Sequence, residues 1–111
     1  MWAVRYTVDA QRDLEDLLIY VAEHDAPGKA DHLLDRIDQV LRTLAESPHR
    51  GTVPRELSAL GRHDYRQVLF KPYRLIYRVL QDEVLIVLVT DGRRDMRSLL
   101  QRRLLANPES P

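Results

Sequence analysis

The 111-residue chain reads as an α+β fold in the order β-α-α-β-β-β-α, a helical hairpin packed on an antiparallel sheet. Three observations lead there. Residues 2–8 alternate apolar and other side chains with a period of two. Two stretches then carry leucine, isoleucine and valine at three- and four-residue steps, parted by Asp25-Ala26-Pro27-Gly28. Finally, three strand-like runs, residues 65–70, Tyr73–Leu80 and residues 84–89, follow one another with only short breaks.

In the first strand Trp2, Val4, Tyr6 and Val8 share one side, and Ala3, Arg5 and Thr7 share the other. Asp9 has the chemistry of a helix cap. Leu14, Leu17, Leu18 and Val21 then form one helical face. The adjacent proline and glycine at 27 and 28 end that helix. In the second helix Leu33, Leu34, Ile37, Val40, Leu41 and Leu44 recur at helical spacing, and Ser47-Pro48 stops it, because the residue before proline avoids helical geometry. So short a break predicts an antiparallel hairpin, whose single apolar face needs a sheet to cover it.

Residues 48–64 are polar and hold Pro48, Gly51, Pro54 and Gly61, which predicts a loop with a short turn near residues 56–60. Lys71-Pro72 and Gln81-Asp82-Glu83 are short enough to connect hairpins, so the three later strands form an antiparallel meander. Residues 84–89 are apolar throughout, as in a central strand covered on both faces. A last helix begins at Arg94 or Asp95, with Met96, Leu99, Leu100 and Leu104 as its stripe and Arg97, Gln101 and Arg102 off it. One domain over residues 1–106 and a frayed tail over 107–111 complete the reading. With two helices on one sheet face, the other face is where function is expected to be exposed.

Composition removes several classes of chemistry. The chain has no cysteine, which excludes disulfides, thiolate catalysis and cysteine-based zinc sites. The opening residues lack the basic start and apolar run of a signal peptide, and the longest apolar run is too short to cross a bilayer, so a cytoplasmic protein without membrane contact is expected. Formal net charge is zero, yet residues 1–48 hold 5 Lys+Arg against 10 Asp+Glu, whereas residues 49–111 hold 12 against 7. Eleven of those 12 cations are arginine, the side chain suited to bidentate contact with phosphate or carboxylate. An anionic partner for the C-terminal half follows as an expectation.

Arg74 and Arg78, four residues apart on one strand, project from the same side, with Arg66 on the preceding strand as a possible companion. Arg93 and Arg94 follow the next strand at Asp91-Gly92-Arg93-Arg94, and Arg97 lies one turn on. In a meander these groups would converge into one cationic patch able to hold a phosphate or stabilise its charge. The competing reading pairs them with Asp64, Asp82, Asp91 or Asp95 as ordinary ion pairs. His24, His32, His49 and His63 match no metal spacing; His49 and His63 flank the arginine region as solvated loop residues or as a general base. No phosphate-binding glycine loop and no nucleophile elbow occurs, and no metal or cofactor is expected.

The series Ser47-Pro48-His49-Arg50-Gly51, Leu57, Gly61, then Tyr73-Arg74-Leu75-Ile76-Tyr77-Arg78-Val79, residues 84–89, and Asp91-Gly92-Arg93-Arg94-Asp95-Met96 leading into Leu99-Leu100 and Arg102-Arg103-Leu104 resembles the RelE/ParE toxins of bacterial type II toxin–antitoxin modules. The likeness covers nearly the whole chain. It implies a cognate antitoxin as partner and operator DNA reached only through that antitoxin. RelE-like members cleave mRNA in the ribosomal A site; ParE-like members inhibit DNA gyrase.

Residue by residue, the resemblance places the RelE-type catalytic arginines at Arg74 and at Arg94, with Arg93 the alternative to the latter. The tyrosine expected in the last helix is missing from Arg97-Ser98-Leu99-Leu100, and Tyr65-Arg66-Gln67-Val68 lacks the lysine pair, for which Lys71 is a poor substitute. Cleavage by 2′-hydroxyl attack needs proton transfer, and arginine is a poor general base. The balance favours a gyrase inhibitor that is not an enzyme, with the ribosome-dependent mRNA endonuclease as the alternative. Arg66, Arg74, Arg78, Arg93, Arg94 and Arg97 are the residues expected to meet target or antitoxin.

Overall fold

The computed structural model describes residues 1–105. Strand β1 (Ala3–Tyr6) leads directly into helix α1 (Val8–His24) and then α2 (Lys29–Glu46). A short helix α3 (Arg55–Ser58) sits in the following loop. Strands β2 (Arg66–Phe70), β3 (Tyr73–Leu80) and β4 (Glu83–Asp91) come next, and α4 (Met96–Leu100) runs on into a π-helical turn, Gln101–Leu105. The predicted element order is therefore observed, with α3 in place of the expected turn; the tail at 107–111 lies outside the described residues.

The sheet order is β1-β4-β3-β2. The meander is antiparallel as expected, whereas β1 lies parallel to β4, with Val4 opposite Val84 and Tyr6 opposite Ile86. Thr7 rather than Asp9 caps α1: its hydroxyl accepts the Ala10 N–H at 3.0 Å, while its own N–H donates to Ile86 O. The strand thus ends at the residue where the helix starts. Gly28, at φ 89°, supplies the left-handed turn between α1 and α2.

The two helices cover one face. Ala10, Val21, Leu33, Ile37 and Leu44 meet Val68, Phe70, Leu75, Tyr77, Val84, Ile86 and Val89 there. The opposite face is not open, contrary to expectation. Leu57 of α3, Tyr65, and Met96, Leu99, Leu100 and Leu104 of the C-terminal helix bury it against Ile76, Leu85, Val87 and Leu88. The apolar run in β4 reflects that double cover.

A β-bulge adjusts which side chain faces which core. Ile76 pairs with Leu88 but Tyr77 pairs with Ile86, leaving Val87 as the extra residue of β4. Val87 and Leu88 consequently both serve the second core, and Val89 returns to the first. No described helix is long and apolar enough to cross a membrane.

Candidate functional site: arginines distributed around the sheet

The expected single cationic patch is not formed. Register places Arg66 opposite Tyr77, on the face covered by the helical hairpin, so it cannot join Arg74 and Arg78. Its Nη1 donates to Gly51 O at 2.7 Å and His49 O at 3.2 Å, which makes it a staple for the loop after α2.

Arg74 lies on the other face and is satisfied within its own chain. It forms a bidentate pair with Glu56 of α3, both bonds at 2.9 Å, and donates from Nε to Gln67 Oε1 at 3.0 Å. Only 12% of the side chain remains exposed. Sequence reasoning missed Glu56 as the partner, having offered four aspartates instead. Arg78 shares that face and lies over the Tyr65 ring, 5.4 Å from its centroid. Arg62 approaches the same ring and pairs with Asp64 at 2.9 Å.

Arg93 is held by Asp91, whose Oδ1 accepts both its backbone N–H and its Nε at 2.9 Å. Arg94 has a weaker tether, Nη1 to Thr90 Oγ1 at 3.4 Å, and has no carboxylate partner among the described residues. Arg97 is exposed on α4. Arg94 stands where three hollows meet. The largest, about 500 Å³, is lined by Leu17, Tyr20, Val21, Tyr73 and Arg93 among others. A second runs along α1 past Asp13 and Asp16, and a third reaches Asp9, Arg102 and Arg103. Acidic α1 and the arginines after β4 thus form two walls of opposite charge with leucine, valine and tyrosine between them.

Thr90 is the register partner of Arg74, so Arg74 and Arg94 start from neighbouring positions and then diverge. Arg74 reaches across β2 into a hollow with Arg55, Glu56, Gln67 and Leu69, which shares no lining residue with those around Arg94. All four histidines are exposed and none lines these hollows. His24 stacks on Tyr20 at 4.2 Å, and His49 meets the Trp2 ring edge-on at 6.2 Å. The described residues contain no group of acidic and histidine side chains able to hold a metal ion.

These pairs depress several carboxyl groups. Arg74 holds Glu56 below its usual value of 4.5, and Arg93 and Arg62 do the same for Asp91 and Asp64, each by its side-chain hydrogen bond first. A depressed folded-state pKa contributes stability above the unfolded value, and that contribution is lost as pH falls through the folded one. Urea midpoints should therefore be flat near neutrality and decline below about pH 4.5. Glu56→Gln should start less stable at neutral pH and lose less on acidification; an unchanged acid slope would refute the Glu56 contribution.

A sequence model described as the ParE toxin of type II toxin-antitoxin system, parDE, matches residues 4–96. Toxin ParE3 of Caulobacter vibrioides is 30% identical over 91 residues, covering 82% of this chain and 87% of that protein. Among solved structures, the chromosomal ParDE system from P. aeruginosa matches with a TM-score of 0.66 at 20% identity, over 82% of this chain and 96% of that one. The toxin–antitoxin complex RelBE2 from Mycobacterium tuberculosis gives 0.56 at 24% identity, over 81% and 96%. A mutant of E. coli RelE in the free state gives 0.53 at 17% identity, over 93% and 98%. The structural likenesses establish the shared α+β fold, and the sequence match over most of the chain settles the lineage: this chain belongs to the ParE toxin family of type II toxin–antitoxin systems.

Proposed function

We propose that this protein is a toxin that inhibits DNA gyrase and is neutralised by a cognate antitoxin. The observation that carries the target is the divergence of Arg74 and Arg94. A ribonuclease of the RelE type would need both guanidinium groups on one scissile phosphate with a proton-transfer group beside them. Here Arg74 is engaged by Glu56 and Gln67, Arg94 turns towards α1, and every histidine lies elsewhere. A binding surface fits this arrangement better than a phosphate-cleaving centre, and so does membership of the ParE family.

The antitoxin reading draws on the two-walled groove at Arg94, which Arg93 also lines. A segment with an apolar stripe would fill the space between Leu17, Tyr20 and Tyr73, and its acidic residues would meet Arg93 and Arg94. Arg74 and Arg78 contribute to target or antitoxin contact only at the opposite face.

Purified toxin added to gyrase and relaxed plasmid should block supercoiling or trap cleaved DNA, and added antitoxin should restore activity. Normal supercoiling at saturating toxin, together with new 5′ ends inside translated codons by primer extension, would replace this reading with the endonuclease.

A further inference from the structure

Apart from the Arg94 groove, a hollow of about 240 Å³ lies between α2 and β2. Arg36, Gln39, Val40 and Thr43 line it from one face of α2, at steps of three and four residues. Val68, Leu69 and Phe70 line it from β2, and Arg50 enters from the loop after α2. No carboxylate lines this hollow, whereas each of the four hollows described above includes aspartate or glutamate. Asp35 and Asp38 neighbour these α2 residues in sequence, yet neither reaches the lining.

Both arginines are positioned in advance. Arg36 donates from Nη1 to Lys71 O at 3.1 Å and lies over the Phe70 ring, 5.4 Å from its centroid. These contacts use one N–H and one face of the guanidinium, so further donors are left for a ligand. The backbone at Arg50 is pinned on both sides. Its own N–H donates to Ser47 O at 3.1 Å, Arg66 Nη1 holds His49 O and Gly51 O, and the Gly51 N–H meets the Tyr77 hydroxyl at 3.0 Å. Neither Arg36 nor Arg50 has a carboxylate partner among the described residues. Two uncompensated guanidinium groups beside an acid-free hollow favour an anion.

We propose that this hollow is a phosphate subsite through which the toxin grips the sugar–phosphate backbone of duplex DNA. A phosphodiester exposes two free oxygens, one for each guanidinium, and Gln39 adds an amide donor. The hollow is shallow and open to solvent, which suits one group on a polymer better than an enclosed small molecule. Exposed Arg55 shares Leu69 as a neighbour, from the hollow on the other face of the sheet, and supplies charge for an adjacent phosphate. The choice of duplex DNA rests on the gyrase reading, because gyrase holds a duplex while it works. Binding of free duplex is measured without gyrase, so the two readings fail separately.

The test is titration of isotopically labelled toxin with a duplex of about 20 bp at about 50 mM salt. The Nε–H resonances of Arg36 and Arg50 and the backbone amides of Gln39, Val40 and Arg50 should shift. Two duplexes of unrelated sequence should bind within about twofold of each other, because phosphates carry no sequence information. Arg36→Gln combined with Arg50→Gln should weaken binding by about tenfold and make the slope of log affinity against log salt shallower by about 1. Arg50→Gln alone, at an exposed position, should weaken it by about threefold and keeps the test valid should the double variant misfold. Arg42→Gln removes an exposed α2 arginine that lines none of these hollows, and should change affinity by less than about twofold. Absence of shifts in the hollow at about 1 mM duplex, undiminished binding by Arg50→Gln, or equal losses at Arg42 and Arg50 would overturn the proposal. So would tighter binding of an RNA duplex of the same length, which would assign the hollow to A-form RNA. Supercoiling still blocked by the parent toxin in any of those cases would leave gyrase inhibition standing without the DNA contact.

Discussion

Gly51→Ala is expected to destabilise this protein by about 3 kcal/mol, although it adds a single methyl group to a loop. A Cβ at position 51 would stand 2.6 Å from Gln67 O and 2.6 Å from the Tyr77 hydroxyl, closer than real Cβ contacts come. Neither neighbour is free to retreat. Gln67 O is fixed by its bond from Thr52 N–H, and the Tyr77 hydroxyl donates to Pro48 O at 2.7 Å while accepting the Gly51 N–H at 3.0 Å. Tyr77 has no exposed surface, so its polar end must find partners inside the protein, and it finds them in the turn after α2. Tyr77→Phe keeps the packing but leaves the Gly51 N–H and Pro48 O without that partner, at a cost of about 2 kcal/mol. Urea unfolding of the two single variants and the double variant separates the contributions. The effects should be less than additive, because each disrupts the same turn. A Gly51→Ala protein as stable as the parent would show that the turn adapts.

The same tyrosine illustrates how far sequence reasoning reaches. Alternation along β3 correctly assigns Tyr73, Leu75, Tyr77 and Val79 to one side and Arg74, Ile76 and Arg78 to the other, because side-chain period in a strand is set by the backbone. Leucine spacing likewise places the buried Leu33, Ile37 and Leu44 of α2 and the buried Met96, Leu99 and Leu100 of α4, whereas Leu34, read onto the same face of α2, is exposed. What periodicity cannot supply is the relation between distant segments. Arg66 lies on the strand preceding that of Arg74, which makes it a possible companion in sequence, yet register with Tyr77 puts it on the opposite face. Glu56 carries no signal that it meets Arg74, because the position of α3 is set by Leu57, packed in the second core. The apolar stretch in β4 did imply cover on both faces, and the C-terminal helix provides it, so the expectation of an open functional face conflicted with information already in the sequence. The parallel place of β1 beside β4 had no local marker. Its match to Val84, Leu85 and Ile86 is a tertiary fact, as is the cap at Thr7, where strand pairing rather than cap chemistry decides the first helical residue.

Asp13 is the residue whose loss should do most to the C-terminal segment. Strand β1 ends at Tyr6, so β4 extends beyond its parallel neighbour and has an open edge along residues 87–91. The bulge at Val87 disturbs the ladder at the same place. Two side chains compensate. Asp13 Oδ2 accepts the Val89 N–H at 3.1 Å, and Arg103 Nη1 donates to Val87 O at 3.2 Å. The two are joined by a bidentate pair, both bonds at 2.9 Å, with 16% and 19% of the respective side chains exposed. The arrangement ties α1, β4 and the π-helical turn into one network. Removing one member leaves a half-buried charge and a strand amide without partners. Asp13→Ala should therefore cost about 3 kcal/mol, at the low end for a buried pair because some solvent reaches it. Arg103→Met should cost less, since the Asp13 carboxylate retains the Val89 N–H and can turn towards water. Urea midpoints measure both, and amide exchange locates the damage: Asp13→Ala should accelerate exchange at Val89 and along residues 99–104 before the helical hairpin is affected. If exchange rose uniformly through the molecule instead, Asp13 would matter for global stability alone and the C-terminal segment would be held by its leucines.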